Sequence, residues 1–303
     1  MVASSSAISR RTMIGGAVAG AGALALAGCA TDENDASGLH MFRVGRTPDD
    51  PNADVWGTAQ PFEIDLGPQD MALPMRLDPA VSKVRVRALH DGTIMGFLME
   101  WTDEDTNDLS VRVDEYRDAC AVMIAEGAPG DAARTMGGAD LPVNLLHWKA
   151  DWQRDVDQGR QGLDAAYPNR AVDVYPPLFD VAPADVDIDA YVEHGATNWL
   201  PGVHAGNPIS LGSRTSPVEK LVAFGFSTTT HLPTQNAAGG GVRTSTGWKV
   251  CLTRPLAAVD ERELSVLPGA SFTSAFTVWS GSSRDVGSRK APSRTVHVVT
   301  VAP

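Results

Sequence analysis

The chain has 303 residues, with 37 acidic side chains against 25 basic ones and a formal net charge of −12. An acidic surface argues against nucleic acid as a partner, because phosphate contacts from Lys and Arg supply most of such affinity. Besides Cys29 only Cys120 and Cys251 occur, and none stands in a Cys-x-x-Cys or Cys-x-x-Cys-His spacing, which argues against covalent c-type haem, an iron–sulfur cluster and a cysteine zinc site.

Residues 1–28 read as a targeting segment and are set apart from the fold. Arg10-Arg11, ahead of the Gly- and Ala-rich run from Met13 to Ala27, is similar to a twin-arginine signal, the route for folded proteins. The apolar run is too short to cross a bilayer, which takes about 20 residues. Leu26-Ala27-Gly28-Cys29 resembles the bacterial lipobox, so Cys29 is expected to become a lipid-bearing N-terminus that anchors the chain at the outer face of a membrane, towards the periplasm or the cell exterior. Removing 1–28 takes away Arg10 and Arg11 and leaves a formal charge of −14. The acidic stretch 32–54 reads as a solvated tether, within a lipidated lead-in over 29–69 that precedes a domain over 70–303.

That domain reads as all-β. Val81–His90, Thr93–Thr102, Ala119–Ala125, Val218–Phe226, Trp248–Arg254, Ser271–Trp279 and Thr295–Val301 combine β-branched residues with period-two alternation. From Val84 to Ala88 apolar residues alternate with Arg85 and Arg87, the pattern of a half-buried strand, and Asp91-Gly92 closes a hairpin to the next strand. Helical signals are few: one turn over Glu115–Asp118 and a short helix within Leu145–Gly159, beginning near Asn144. Gly239-Gly240-Gly241 reads as a hairpin tip. Residues 160–217, rich in Gly, Pro, Asp and Asn but carrying Tyr167, Tyr175, Tyr191 and Trp199, form a long irregular insertion, read as an ordered functional excursion or a partner-binding surface. Cys120 and Cys251 each lie in an apolar strand, where buried thiols and a single disulfide both remain open.

Familiar catalytic patterns are weak. The seven histidines are scattered with no i, i+4 pair on a credible helix, and no nucleophile elbow, phosphate loop or dinucleotide fingerprint follows a strand. Acidic residues are plentiful, but no pair is placed for hydrolysis.

An ordered set of motifs carries more. Asp118-Ala-Cys-Ala-Val-Met, Thr135-Met136-Gly137-Gly138 and Pro142 to Gln153 are followed by Gly206-Asn-Pro, Ser216 to Phe226, Gly247-Trp248-Lys-Val and Arg254-Pro-Leu256. The set closes with Phe276-Thr-Val-Trp279-Ser-Gly281 and Gly287-Ser-Arg289-Lys290-Ala291. Over about residues 70–301 it resembles the haem b (gamma) subunit of ethylbenzene dehydrogenase-like, type II molybdenum enzymes.

That resemblance implies a β-sandwich holding one non-covalent haem b, its iron bound by the sulfur of Met136 and the amine of Lys290. A thioether favours ferrous iron, while an amine can bind only once it has lost its proton. Trp148 and Trp152 are expected to wall the pocket, and Lys149 and Arg289 to pair with the propionates. His147, eleven residues beyond Met136, is the rival ligand. The bland readings are a packing methionine at Met136 and a solvated cation at Lys290. The resemblance further implies an electron-transfer subunit with no substrate chemistry of its own, partnered by a molybdopterin catalytic subunit and an iron–sulfur subunit. The chain departs from the family's soluble periplasmic type in its lipid anchor. The competing expectation is a ligand- or carbohydrate-binding β-sandwich lipoprotein using Trp101, Trp199 and Trp279.

Overall fold

The computed structural model describes residues 38–127, 135–169, 201–211 and 213–303. The export signal, Cys29 and much of the 160–217 insertion, including Tyr175, Tyr191 and Trp199, lie outside the described residues. Among those described, thirteen strands join one sheet: β1 (Leu39–Arg43), β2 (Phe62–Asp65), β3 (Lys83–His90), β4 (Ile94–Thr102), β5 (Ala119–Ala125), β6 (Val143–Lys149), β7 (Val218–Ala223), β8 (Thr230–His231), β9 (Ala238–Arg243), β10 (Gly247–Pro255), β11 (Ser271–Trp279), β12 (Ala291–Pro292) and β13 (His297–Val301). Their order is β8-β7-β6-β5-β11-β13-β1-β3-β4-β10-β9, with β12 beside β11 and β2 beside β3.

The sheet folds over on itself as a sandwich. Phe97 of β4 meets Phe272 and Phe276 of β11, ring centroids 6.4 and 6.0 Å apart. Trp148 of β6 meets Trp101 of β4 and Trp248 of β10 at 6.3 and 5.0 Å. Each such side chain taken out of water contributes about 1.5–3 kcal/mol. The all-β expectation holds, as does the hairpin: β3 and β4 pair antiparallel, His90 opposite Met95, around Asp91, whose carboxylate accepts the amides of Thr93 and Ile94, each at 2.8 Å.

Several expectations need correction. The tether does not extend to residue 54: β1 lies parallel between β13 and β3 near the middle of the sheet, with Leu39 and Met41 in the core. The helix expected from Asn144 begins only at Ala150, as α1 (Ala150–Gln158), because Val143–Lys149 is a strand paired on both sides, with β5 and β7. No helix forms over Glu115–Asp118; Glu115 instead accepts the amides of Val111 and Arg112, each at 2.8 Å. The three glycines belong to β9, not to a turn. A Cβ on Gly241 would lie 2.2 Å from Trp148 Cζ2, so glycine is what lets β9 pass over that indole. Gln153 of α1 ties the two together, accepting from the Gly241 amide at 2.8 Å and from Trp148 Nε1 at 3.1 Å. Cys120 and Cys251 are buried free thiols. No helix among the described residues is long and apolar enough to cross a membrane.

Candidate functional site

All seven residues of β5 are buried, although alternate side chains point to opposite faces of a strand. One face fills the sandwich core with Cys120, Val122 and Ile124. The other, carrying Ala119, Ala121 and Met123, lines a cavity of about 1070 Å³, at the upper end of small-molecule pockets. Strand register sets its floor. Glu219, His147, Ala121 and Thr277 lie side by side across β7, β6, β5 and β11; Lys149, Ala119 and Trp279 form the next row on one side, and Leu221, Leu145, Met123 and Ala275 the next on the other. Small residues at Ala119, Ala121, Ala275 and Thr277 keep the middle low, and one end is charged while the other is apolar.

Met136 and Lys290 meet over this floor, sulfur and Nζ 3.9 Å apart, across 154 positions of sequence. Met136 packs on the cluster of Met123, Leu145 and Leu221, and its backbone is left-handed, φ 63°, a conformation costing a non-glycine residue about 1–2 kcal/mol. The next residue secures the turn: Gly137 has φ 86°, and a Cβ there would lie 2.8 Å from the Ala223 carbonyl oxygen. Such strain collects where a side chain must be aimed.

Lys290 ends a loop that leaves β11 at Trp279. Buried carboxylates anchor that loop: Asp118 accepts the Gly281 amide at 2.8 Å and Asp285 the Ser280 amide at 3.2 Å. Burial brings the Lys290 amine down to a pKa of about 8, and no carboxylate among the described residues pairs with it. Beyond the Met136 sulfur, Nζ also lies 5.3 Å from the centroid of the Trp279 ring. Met136 is thus a packing residue as well as a neighbour of the amine, and Lys290 lies away from bulk solvent.

The other expected site residues divide. Lys149 lines the cavity, but its ammonium already bonds to the Glu219 carboxylate and sits over Trp152 at 3.7 Å. Trp148 is not a wall: neighbours in β6 face opposite ways, so His147 and Lys149 reach the cavity while Trp148 is fully buried in the core. Trp152 also lies outside the lining, held between Lys149 and Arg214, the latter at 3.9 Å. Arg289, next to Lys290, lies outside it too, its charge acting on Asp285. Trp101 is buried in the sandwich core, which removes it from any sugar-binding face. Sequence reasoning missed Glu219, Arg117 and the alanine floor; alternation within β5 and β11 was the available signal.

His147 stacks on Trp279, centroids 4.9 Å apart, with Nδ1 4.0 Å from Glu219. Burial, then the charges of Lys149, Arg117 and Lys290, hold it neutral by driving its pKa well below the usual value. Arg117, also in the lining, pairs with Asp151 at 2.9 Å. No group of three or more His, Cys, Asp or Glu among the described residues is placed to hold a metal ion. A neutral thioether and an amine that burial brings towards deprotonation are a donor set that could hold a metal-centred group. The cavity, at about 1070 Å³, has room for such a group.

Residues 53–173 match the family model described as ethylbenzene dehydrogenase. A protein described as a respiratory nitrate reductase heme subunit, from Haloferax mediterranei, is 21% identical over 42% of this chain and 46% of its own length. The chlorate reductase subunit gamma of Ideonella dechloratans is 22% identical over 94% of this chain and 93% of its own. Among solved structures, a family 9 carbohydrate-binding module from Caldicellulosiruptor kristjanssonii, in complex with cellotriose, is 10% identical over 87% of this chain and 93% of that one, but at a TM-score of 0.37 the likeness carries no weight. Over residues 53–173 the chain is thus similar to the ethylbenzene dehydrogenase family model, and over nearly all its length to a reductase gamma subunit.

Proposed function

We propose that the cavity holds one non-covalent haem b between Met136 Sδ and Lys290 Nζ, and that the chain is an electron-transfer subunit with no substrate chemistry of its own. The observation that carries the reading is the 3.9 Å approach of these two donors over the floor of the cavity. The names of the two relatives, a heme subunit and a reductase gamma subunit, support it. Haem there supplies a one-electron couple. The protein's part would be to offer Met136 and Lys290 as donors, to exclude water with the Leu221, Leu145 and Met123 end of the floor, and to keep the amine of Lys290 easily deprotonated by burial. The implied partners are a molybdopterin catalytic subunit and an iron–sulfur subunit of an exported oxidoreductase.

Full-length protein expressed with a supply of haem is expected to show a six-coordinate b-type spectrum. Met136→Ala and Lys290→Ala should each convert it to a different ligation state or abolish uptake. A chain that takes up no haem, or variants with unchanged spectra, would overturn the reading.

The same proposal places the chain at the membrane surface through a lipid on Cys29, after export of the folded protein by the twin-arginine route. Its mature mass is expected to carry a diacylglycerol increment on the fragment that begins at Cys29 and to lose it in Cys29→Ser. An unmodified mature N-terminus would remove the anchor without touching the haem assignment.

A further inference from the structure

Ligation by Met136 and Lys290 leaves His147 to be explained. Its imidazole lines the same cavity, and its Nε2 is buried without a hydrogen-bond partner. Its Nδ1 faces the Glu219 carboxylate at 4.0 Å. A ring nitrogen free on one side and backed by a carboxylate on the other is the usual setting of a metal-binding histidine. Imidazole also needs no proton removed at neutral pH, whereas an ammonium must give one up before it can bind. Unrestrained, His147 would compete with Lys290 for iron.

Two contacts of Trp279 oppose that exchange. Its ring lies against the imidazole, planes tilted by 32° and centroids 4.9 Å apart. Its Nε1 donates to the Gly287 carbonyl at 3.0 Å, three residues before Lys290, in the loop that presents the amine. The indole itself is buried with Ala119 and Ala121, so one fixed side chain restrains both candidate donors.

We propose that Trp279 is the positioning residue that selects the nitrogen donor, keeping His147 away from the iron and holding the Lys290 loop within reach of it. This rests on the haem reading above. The amine therefore ligates because the better intrinsic donor is stacked away from the iron.

The test is electron paramagnetic resonance and near-infrared spectroscopy of haem-loaded full-length protein, which distinguish an amine from an imidazole opposite a thioether. Lys290→Ala alone is expected to lose the amine signature without gaining an imidazole one, since Trp279 is still in place. Lys290→Ala with Trp279→Leu is expected to gain the imidazole signature and to lose it again when His147→Leu is added. An imidazole signature in Lys290→Ala alone, or none in the double variant, overturns the proposal. Should the Leu variants fail to fold, Trp279→Phe decides: it keeps a ring against His147 but loses the bond to Gly287. It should weaken haem binding about fivefold, the worth of one such hydrogen bond, with a diminished amine signature; affinity and spectrum unchanged from wild type overturn the proposal. Wild-type protein that loads no haem overturns this inference together with the proposed function, whereas normal loading with an unexpected ligand pattern overturns this inference alone.

Discussion

Between pH 6 and pH 9 the affinity of the protein for haem is expected to rise about 100-fold, then level off. Only the free amine of Lys290 can donate to iron, and burial holds its pKa at about 8. Each pH unit below that value leaves about tenfold fewer chains in the binding form, equivalent to about 1.4 kcal/mol. His147 adds no slope, because it is already neutral across this range. Haem titrations followed at the Soret band at pH 6, 7, 8 and 9 check the prediction. Lys290→Met offers a thioether that carries no proton, so its affinity should be flat; a flat wild-type curve would count against lysine ligation.

The haem-free protein feels the same shift as a stability term. Between about pH 8 and the ordinary lysine value of 10.5 the folded chain binds fewer protons at Lys290 than the unfolded chain does. Stability should therefore increase with pH across that window, by up to about 3 kcal/mol. Lys149, also brought to about 8 by burial and only partly held up by Glu219, titrates in the same range. Lys290→Met should remove only its own share of the rise, so the variant is the informative curve.

How far the sequence reveals this molecule depends on how local each signal is. The β3–β4 hairpin was legible because alternation and Asp91 both act over a few residues. β6 was not, since Val143–Lys149 passes into α1 with no Gly or Pro between, and its strand character comes from pairing with β5 and β7. The wall role expected of Trp148 came from the resemblance, and the strand corrects it, since there Trp148 must face away from His147 and Lys149. β9 was hidden because its glycines answer to Trp148, far away in sequence. Met136 and Lys290 became legible only through the family resemblance, as nothing local marks a loop methionine and a near-terminal lysine as neighbours 154 positions apart. Glu219 and Trp279 followed once the registers of β7 and β11 were in hand.

Away from the cavity, Glu263→Gln is expected to destabilise the fold by about 3–5 kcal/mol, the cost of leaving buried cations without their counter-ion. One Glu263 oxygen accepts from both Lys220 Nζ at 2.7 Å and Arg254 Nη1 at 3.0 Å, and all three side chains are 1% exposed. The triad joins β7 to β10 between the two halves of the sandwich, so losing its anion strands two charges where water cannot reach them. Burial alone would raise the Glu263 pKa, but the hydrogen bond from Lys220, the Val259 amide and the two cations hold it below the usual range. Its contribution is thus complete at neutral pH and is lost as pH falls through that depressed value. For a domain of this size the deficit corresponds to a fall in Tm of roughly 6–20 °C, measurable by thermal unfolding at pH 7. Replacing all three with apolar residues of similar volume, Lys220→Met, Arg254→Met and Glu263→Leu, should cost far less or even stabilise the fold, because it removes the desolvation penalty together with the attraction. A single-variant loss below about 1 kcal/mol, the size expected of an exposed pair, would mean that water reaches the triad.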